Sequence, residues 1–522
     1  MSTSRGSAEW LHDLLQRPFV GDVLLRGIAA SESLALRSQT LFRAGSRIDP
    51  ELYDVIGARS ALAAALHAAQ VVPAYRSFLH DAGWSDDPDL DTLTRLRRFP
   101  VTDKASYINV YSPEERCVHG KIPLYGTAID ESSGSSGMPY NWMRGGRELR
   151  HMHRMMSQFA RYLGVDKVIT INGFSMGAWA TGVNTGEALR ANGVVKSTGP
   201  DIGKILHTMR FMGPRYHYVI TGYPPFLKHV IDEGTAQGFP WSSYWITGIV
   251  GGEAISESLR SYLLRTFDNV FSGYGASDLE MGVGGETPFT VWVRQRAAAD
   301  SALATSLFGT SDRLPMVFQY NPVDHFIELT DAGELLVTIN RRSVLSPRIR
   351  YNVHDAGGIM SFNQVCKILG SHGYDPCEGS DRGLMTLPVL YLFGRSEGTL
   401  SYMGANVYPE DVEAALYDVE DLASSLRGFC MDLVENENES RLYLHLELHS
   451  GDAELAQWEG RAEAIAASVR EHLLAASADY RSAVCEDPSA GEIAVSVHAP
   501  HTGPFADQDG RIKRRYIRRM TQ

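Results

Sequence analysis

A run of six small residues is the part of this 522-residue sequence that most clearly suggests chemistry. Serine and glycine side chains leave the backbone amides open, so that successive N–H groups can surround the oxygens of a phosphate. The run is not a Walker A motif, because no Gly-Lys-Ser/Thr sequence follows it. Its composition is also typical of a flexible linker. The run consists of Ser132, Ser133, Gly134, Ser135, Ser136 and Gly137.

Four further motifs follow this run, and their order along the chain favours the phosphate interpretation. They are Gly251-Gly252-Glu253, Gly273-Tyr274-Gly275-Ala276-Ser277-Asp278, Arg350-Tyr351-Asn352-Val353-His354-Asp355, and Gly394-Arg395-Ser396-Glu397 leading into segment 404–413. In this order, the segments resemble the adenylate-forming (acyl-CoA synthetase-like) superfamily, and most closely its phenylacetate–CoA ligase-like branch. The resemblance extends from residue 99 to residue 519.

The resemblance implies a role for each motif. The run of small residues would hold the β- and γ-phosphates of ATP, while Tyr274 would stack on adenine and Ser277 would contact the α-phosphate. Asp278, where the family usually has glutamate, would bind Mg²⁺ together with phosphate oxygens. Asp355 would bind both ribose hydroxyls, with Arg395 nearby. The same motifs would complete the ATP site with Gly252, Glu253 and Gly275.

The resemblance also implies a small C-terminal domain that rotates about a hinge at Glu397. The family carries its catalytic lysine directly after a glycine near the C-terminus, but here Arg511 follows Gly510 and Lys513 comes two residues later. Lysine is a compact charge and arginine a planar fork, so the exchange is not conservative. Residues two apart in a strand face the same side. Either Lys513 or Arg511 could therefore act with Ser277 in catalysis.

The acyl pocket is expected, by the same resemblance, in segments that follow the predicted strands. Aromatic walls suit a flat ring that is held by stacking and edge contacts, so the pocket predicts an aromatic or arylalkenoic acid. Any one of these residues could instead belong to the core. The expected lining residues are Phe174, Trp179, Tyr216, Gly222, Tyr223, Pro224 and Ser272.

Together these residues predict an ATP-dependent, AMP-forming ligase. A carboxylate is a poor electrophile, so its oxygen must first attack the α-phosphorus of ATP to give an acyl-adenylate and pyrophosphate. A thiol, such as that of CoA, then displaces AMP. The expected cofactors are ATP and Mg²⁺, and CoA is a possible second substrate.

The sequence leaves three other functions open. Some members of this branch serve secondary metabolism as diazotases, which activate nitrite against an aromatic amine, and the unusual Asp278, His354 and Arg511 keep that interpretation open. Loss of the usual lysine would fit a non-catalytic nucleotide-binding protein. The segment Gly173-Phe174-Ser175-Met176-Gly177 has the pattern of a nucleophile elbow, which would make Ser175 the nucleophile of a serine hydrolase.

The order of strand-like and helix-like segments predicts the fold that must position these residues. Residues 7–80 are expected to be helical. The β-rich runs 167–172, 216–221, 244–250 and 269–271, each followed by helical sequence, predict a parallel sheet. Strands expected at 287–294, 325–329 and 334–340 predict an antiparallel, β-rich subdomain. The fold class is therefore α/β, with a large N-terminal ATP- and acyl-binding domain of layered sheets, residues 1–395, and a small mobile α+β cap, residues 396–522.

Composition limits the partners. With 49 Lys and Arg against 62 Asp and Glu, the chain has a net charge of −13, which argues against nucleic acid because phosphates are neutralised by basic side chains. The first twenty residues show no secretory signal, and no apolar stretch is long enough to predict a membrane span. Five scattered cysteines suit a reduced, cytoplasmic compartment. The expected partners are a small aromatic acid with CoA or nitrite, and a homodimer stays open.

Overall fold

The computed structural model of the protein describes residues 18–131, 140–177, 180–309, 313–380, 383–395, 400–402, 405–436, 439–449, 452–477, 480–481, 484–485, 491–506 and 516–518. The described elements before residue 100 are helices, and the first four confirm the helical sequence expected within 7–80 from residue 18 onward. They are α1 (Pro18–Ala35), α2 (Gln39–Gly45), α3 (Pro50–Val71), α4 (Pro73–Asp81) and α5 (Thr92–Arg97). Among the described residues no single helix is long and apolar enough to cross a bilayer, and α3 passes only together with α4, from which it is bent by 98°.

A sheet of eleven strands forms the centre of the protein, and its first half is parallel. The parallel strands are β3 (Val168–Asn172), β4 (Gly193–Ser197), β5 (His217–Gly222), β6 (Trp245–Gly251) and β7 (Asn269–Tyr274). The helices that precede or connect them are α6 (Gly146–Tyr162), α7 (Ala180–Leu189), α8 (Ile202–Met212), α9 (Pro224–Ala236) and α10 (Glu257–Leu263). The strands lie side by side in the order β4, β3, β5, β6, β7. Since β3 and β5 are buried along their whole length, the sheet is covered on both faces.

The second half of the sheet is antiparallel and continues the same layer beyond β7. Its strands are β8 (Gly284–Gly285), β9 (Met316–Tyr320), β10 (His325–Leu329), β11 (Glu334–Ile339), β12 (Tyr351–Met360) and β13 (Val389–Arg395). They lie in the order β8, β9, β13, β12, β11, β10. The antiparallel strands expected at 325–329 and 334–340 are confirmed as β10 and β11, and the Gly333 N–H donates to the Thr330 carbonyl at 3.0 Å to close the turn between them.

The strand expected at residues 287–294 is wrong, because this segment begins helix α11 (Pro288–Ala299). Its β-branched and aromatic residues suggested a strand. The start signals for a helix outweigh them: Pro288 occupies the first turn, and Thr287 and Thr290 cap each other through backbone and hydroxyl at 2.9 and 3.3 Å. The next helices are α12 (Ser301–Phe308) and α13 (Phe362–Ser371).

The C-terminal part of the chain folds around a core of its own, which includes Val412, Leu444 and Ile465. Two short strands, β14 (Leu400–Tyr402) and β15 (Ala405–Val407), precede the helices α14 (Pro409–Asp418) and α15 (Leu422–Ser425). The long strands β16 (Leu426–Asn436) and β17 (Glu439–Leu448) pair next. Two further helices, α16 (Asp452–Glu459) and α17 (Ala462–Ala476), lie on either side of Gly460. The strands β18 (Ile493–His498) and β19 (Ile517–Arg518) complete a four-stranded sheet.

Helix α9 contacts this C-terminal unit through a buried lysine. The Lys228 side chain is 3% exposed, and its Nζ lies 2.6 Å from Asp232 Oδ2 and 2.7 Å from the Leu426 carbonyl oxygen. His449, at the end of β17, contacts the same carboxylate at 3.1 Å. His229 bonds the Arg427 carbonyl at 2.6 Å. The unit is thus held against the main sheet by polar contacts, while the boundary expected at residue 395 stays a prediction.

Candidate active site

A large cavity, of about 1180 Å³, lies at the carboxyl ends of the parallel strands. Loops that leave β3, β5, β6 and β7 form one wall, where open α/β sheets usually bind their ligands. The antiparallel half adds residues from β12 and β13. The lining residues that the sequence predicted are Phe174, Tyr223, Gly252, Glu253, Ser272, Tyr274, Gly275, Ser277, Asp278 and Asp355.

The cavity brings together an aromatic ring and a carboxylate that are 81 residues apart in sequence. The Tyr274 hydroxyl, at the end of β7, donates to Asp355 Oδ2 at 2.7 Å. The Tyr274 ring stacks on Phe318, with centroids 5.8 Å apart. Across β12 and β13, Asp355 is in register with Arg395. A flat ring beside a carboxylate is an arrangement that can hold a base and the hydroxyls of its sugar.

Asp278 is buried, and two side chains contact the same oxygen of its carboxylate. Oδ2 accepts from the Tyr351 hydroxyl at 3.0 Å and lies 3.1 Å from Lys104 Nζ. Burial, with Asp278 nearby, raises the pKa of Tyr351, so this phenol stays protonated and donates. No group of three or more metal-ligating side chains occurs in the described part of the chain. A Mg²⁺ ion at Asp278 would therefore take most of its ligands from phosphate oxygens and water, which suits its chemistry.

Lys104 is a cavity residue that the sequence analysis missed. It begins a short π-helical turn, Lys104–Ile108, whose N-cap Asp103 accepts from the Ser106 N–H at 2.7 Å. The lysine side chain is 33% exposed, so its charge faces the cavity as well as Asp278. Its only sequence signal was its place at the end of the segment 99–104, where the family resemblance begins.

A buried arginine fixes the hairpin from which the run of small residues extends. The hairpin strands are β1 (Ala128–Glu131) and β2 (Asn141–Arg144). Arg144 contacts Asp130 and Glu148 at 3.2 Å each, and its Nη2 donates to the Ser277 carbonyl at 2.7 Å. The hairpin is thereby tied to the loop that carries Ser277. The phosphate-loop residues, 132–137, lie outside the described residues, as do Trp179, Glu397, Arg511 and Lys513.

The predicted acyl-pocket residues separate into two groups. Phe174 and Tyr223 meet edge to face at 5.5 Å on the cavity wall, near Ser272. Burial, with Glu253 nearby, raises the pKa of Tyr223 to about 12, so its hydroxyl stays neutral. Gly222 and Pro224 are buried directly beside Tyr223 and do not line the cavity.

Tyr216 does not belong to the pocket. It precedes β5, whose six residues at about 3.3 Å each separate it from the carboxyl end by about 20 Å. Its ring instead packs under Arg215, at 4.9 Å. Sequence proximity to a pocket strand was misleading, because only one end of a parallel strand faces the cavity.

Ser175 has the strand–turn–helix context of a nucleophile elbow but not its exposure. It follows β3, and α7 begins at Ala180. The serine is 7% exposed and is not among the described residues that line the cavity, whereas an elbow presents its nucleophile to substrate. The geometry therefore does not favour a hydrolase.

A buried charged network closes the far wall of the cavity. Glu280 contacts His325 Nε2 at 2.6 Å and Arg341 Nη2 at 2.5 Å. Arg341 also contacts Asp324 at 3.0 Å, and His151 contacts the same carboxylate at 2.7 Å. Burial alone would raise the pKa of Glu280, but Arg341 and His325 outweigh it and hold that pKa well below its ordinary value. The charges of this wall are thus paired with one another, and Glu280 stays ionised.

Comparison with known proteins agrees with this architecture. No known protein-family model matches the chain. A phenylacetate–coenzyme A ligase from Pseudomonas putida is 24% identical over 407 residues, covering 74% of this chain and 79% of the relative. Two crystal structures of 2-hydroxyisobutyryl-CoA ligase in the postadenylation state, with R3-HIB-AMP and with 2-HIB-AMP, superpose with TM-scores of 0.63 and 0.61. In both, identity is 14%, with 90% of this chain and 89% of the other covered.

The chain therefore has the fold of the 2-hydroxyisobutyryl-CoA ligase structures, with a large cavity at the carboxyl ends of its parallel strands. In sequence it is similar to the phenylacetate–coenzyme A ligase over 74% of its length. The family resemblance and the α/β fold class expected from the sequence are therefore confirmed.

Proposed function

We propose that this protein uses ATP to activate an aromatic or arylalkenoic carboxylic acid as its acyl-adenylate and transfers the acyl group to a thiol such as that of CoA. The observation that carries this proposal is the bond from Tyr274 to Asp355, in the same cavity as Asp278 and Lys104. The curated relative, a phenylacetate–coenzyme A ligase, supports the choice of acid and acceptor.

In the first step, a carboxylate oxygen of the acid attacks the α-phosphorus of ATP. The bond to the β-phosphate breaks, and pyrophosphate leaves with its electron pair. Such a step depends on positioning and on neutralising charge at the phosphoryl oxygens. Asp355 would orient the ribose, Tyr274 would stack on adenine, and the charge of Lys104 would face the phosphates.

Mg²⁺, when bound at Asp278, supplies further positive charge to the phosphate oxygens. Arg511 and Lys513 remain the proposed cations of the C-terminal cap, which would turn about a hinge at Glu397. In the second step, the acceptor thiolate attacks the acyl carbonyl carbon and AMP leaves with its oxygen. The two steps need different groups at one centre, which is the physical reason for a mobile cap.

An aromatic substrate is supported by the wall that Phe174 and Tyr223 form. Their edge-to-face arrangement leaves aromatic surfaces at the cavity, and such surfaces pack well against a flat ring.

The diazotase alternative is favoured by one specific departure from the family pattern. Asp278 replaces the family's glutamate and is contacted by Lys104, so the charge around the phosphates differs from the usual pattern.

The deciding experiment is mass spectrometry of products formed from ATP, a panel of aryl acids including amino-substituted ones, and either CoA or nitrite. We expect an aryl-CoA thioester and AMP. A diazo product, or loss of the amine nitrogen as N₂ only with nitrite, would replace the ligase by the diazotase. Absence of AMP with every acid would contradict both.

Replacement of Lys104 by methionine is expected to slow adenylation. Loss of one pre-positioned charge at the reacting phosphates costs about 10²-fold in rate, and Lys104→Arg should restore part of it. The measurement is acid-dependent ATP–pyrophosphate exchange. Lys204→Met is the matched control, because Lys204 is exposed on α8 and pairs only locally with Asp201 at 2.7 Å. An unchanged exchange rate in Lys104→Met would remove the lysine from the mechanism.

A further inference from the structure

The cavity extends well beyond the residues that are expected to hold the nucleotide and the acyl group. We call this further section the apolar chamber, and its lining includes Leu36, Phe42, Tyr53, Met155, Phe159 and Leu163. Helices α1, α2 and α3 contribute to it, and all three begin before residue 99, where the family resemblance starts. The far end of the cavity is therefore built by helices that the family motifs do not include.

The sheet forms the floor of the apolar chamber and leaves a passage to it from the strand ends. Ile249 in β6 and Phe271 in β7 are neighbours in register, and both line the cavity. Two residues further along, on the same face of these strands, lie Gly251 and Gly273. A Cβ on Gly273 would meet nothing within 4 Å. Since the described residues leave this space open, the chamber is continuous with the cavity around Tyr274.

Helix α6 forms the opposite wall of the chamber and packs directly on the glycines around β8. A Cβ on Gly285 would lie 2.5 Å from Phe159 Cε1, and one on Gly282 would lie 3.2 Å from Met155 Cε. Helix α6 thus approaches the sheet closely, and its own side chains determine the shape of the wall. Methionine is unbranched and flexible, so this wall adapts to apolar groups of different shape.

Three ionisable side chains that line the cavity here have partners within the protein. The Tyr53 hydroxyl donates to the Gly45 carbonyl at 2.6 Å, and burial raises the pKa of Tyr53, so its phenol stays neutral. Glu280 and Asp324 belong to the paired network described above. These groups do not offer a charge to a ligand, whereas the chamber offers a surface from which an apolar group excludes water.

The apolar side chains of the chamber surround open space instead of filling it. Tyr53 and Leu163 belong to one buried apolar cluster, and Phe42 and Phe159 pack against that cluster while staying half-buried. Next to them, the lining follows α6 from Met155 to Leu163, which is about 12 Å at 1.5 Å per residue. A single aromatic ring does not span this length, so a compact aryl acid leaves part of the chamber without apolar contacts.

We propose that the apolar chamber binds a long apolar tail of the acid, so that the preferred substrates are long arylalkanoic acids and not compact aryl acids. This inference rests on the proposed function for the reaction at the carboxyl group, which stays at the strand ends beside Tyr274. The tail passes Gly273 and lies between Phe159 and Phe271. Helices α1 to α3 limit its length.

Adenylation of phenylalkanoic acids of increasing chain length tests this proposal. The measurement is kcat/KM in ATP–pyrophosphate exchange with phenylacetate, 4-phenylbutyrate, 6-phenylhexanoate and 8-phenyloctanoate. We expect kcat/KM to rise by up to about fourfold for each added methylene until the tail fills the chamber, since burial of a methylene is favourable by about this factor. A constant kcat/KM, or a maximum at phenylacetate, would overturn the proposal.

The variant Gly45→Phe places a side chain at the N-terminal end of the chamber. Gly45 ends α2 and lines the cavity, and a Cβ there would meet nothing within 4 Å. We expect kcat/KM to fall at least about tenfold for 8-phenyloctanoate, the worth of one to two buried methylenes. Phenylacetate does not reach this end, so its kcat/KM should be unchanged, which also shows that the variant is folded.

Gly27→Phe, in α1, is the matched control. A Cβ on Gly27 would also meet nothing within 4 Å, but Gly27 is not among the described residues that line the cavity. Its chain-length profile should equal that of the unaltered protein. Identical profiles for Gly45→Phe and Gly27→Phe would overturn the assignment of the tail to this chamber.

Binding without turnover separates this inference from the proposed function. Calorimetry without ATP should show that 8-phenyloctanoate binds more tightly than phenylacetate to the unaltered protein and to Gly27→Phe, and that Gly45→Phe loses this preference. Equal affinity for both acids in all three proteins would overturn the chamber proposal alone. Failure of the unaltered protein to exchange pyrophosphate with any acid would count against the proposed function alone, because acid binding is measured without it.

Discussion

Replacement of Asp355 by alanine is expected to weaken ATP binding by about 10²–10⁴-fold. Each ribose hydroxyl would lose a charged acceptor, and a hydrogen bond to a charged group contributes about 1.5–3 kcal/mol. The carboxylate is already positioned by the Tyr274 hydroxyl at 2.7 Å and by its register with Arg395. Isothermal titration calorimetry with ATP is the measurement.

Tyr274→Phe is the matched control for this prediction. It removes the hydroxyl that bonds Asp355 but keeps the ring and takes no acceptor away from the ribose, so ATP binding should weaken far less than in Asp355→Ala. Thermal unfolding without ligand shows whether either variant is misfolded. If Asp355→Ala folds normally and binds ATP as tightly as the unaltered protein, the residue does not hold the ribose.

Replacement of Arg260 by leucine is expected to destabilise the protein by about 3–5 kcal/mol, because it leaves a buried carboxylate without its partner. Arg260 Nη2 lies 2.6 Å from Glu286 Oε1, and both side chains are almost completely buried. The other Glu286 oxygen accepts from the Ser272 N–H at 2.7 Å, so the pair supports the strand that carries Tyr274. The midpoint of unfolding in denaturant, followed by tryptophan fluorescence, measures the loss.

The pair replacement Arg260→Leu, Glu286→Leu controls for the loss of packing. Removing both charges avoids the uncompensated carboxylate, so the double variant should be more stable than Arg260→Leu alone. A double variant that is less stable than the single one would mean that side-chain packing, and not charge pairing, accounts for the contribution of this pair to stability. An Arg260→Leu protein with unchanged stability would contradict the buried-pair argument itself.

Four strands of the parallel half could be predicted from the sequence because they are mostly buried, whereas β4 was missed because its residues are exposed or half-buried. The buried strands are nearly continuous apolar runs, and the runs at β3, β5, β6 and β7 are each followed by glycine or proline and helical sequence. Segment 287–294 was assigned incorrectly, because its side chains have strand character. The reciprocal capping hydrogen bonds between Thr287 and Thr290 stabilise the helix instead.

Only those residues of the candidate site that lie in a recognisable motif could be predicted from the sequence. Tyr274, Asp278 and Asp355 came from the family resemblance, and nothing in their spacing indicates that Tyr274 and Asp355 meet. Lys104 was missed, because its pairing with Asp278 depends on how the segment before β1 packs against the sheet. Arg144 reaches Ser277 across 133 residues, and no local pattern indicates such a contact.

Chemical modification of the buried lysine of α9 can measure whether the C-terminal unit contacts this helix. An amine is acylated only when a reagent can reach its nitrogen. Lys228 Nζ is enclosed between Asp232 and the Leu426 carbonyl. Its modification by a small anhydride therefore requires molecules in which β16 has moved away from α9. The fraction of Lys228 acylated in a short pulse, relative to an exposed lysine such as Lys204, would measure how often, if at all, β16 separates from α9 and whether ATP changes that frequency.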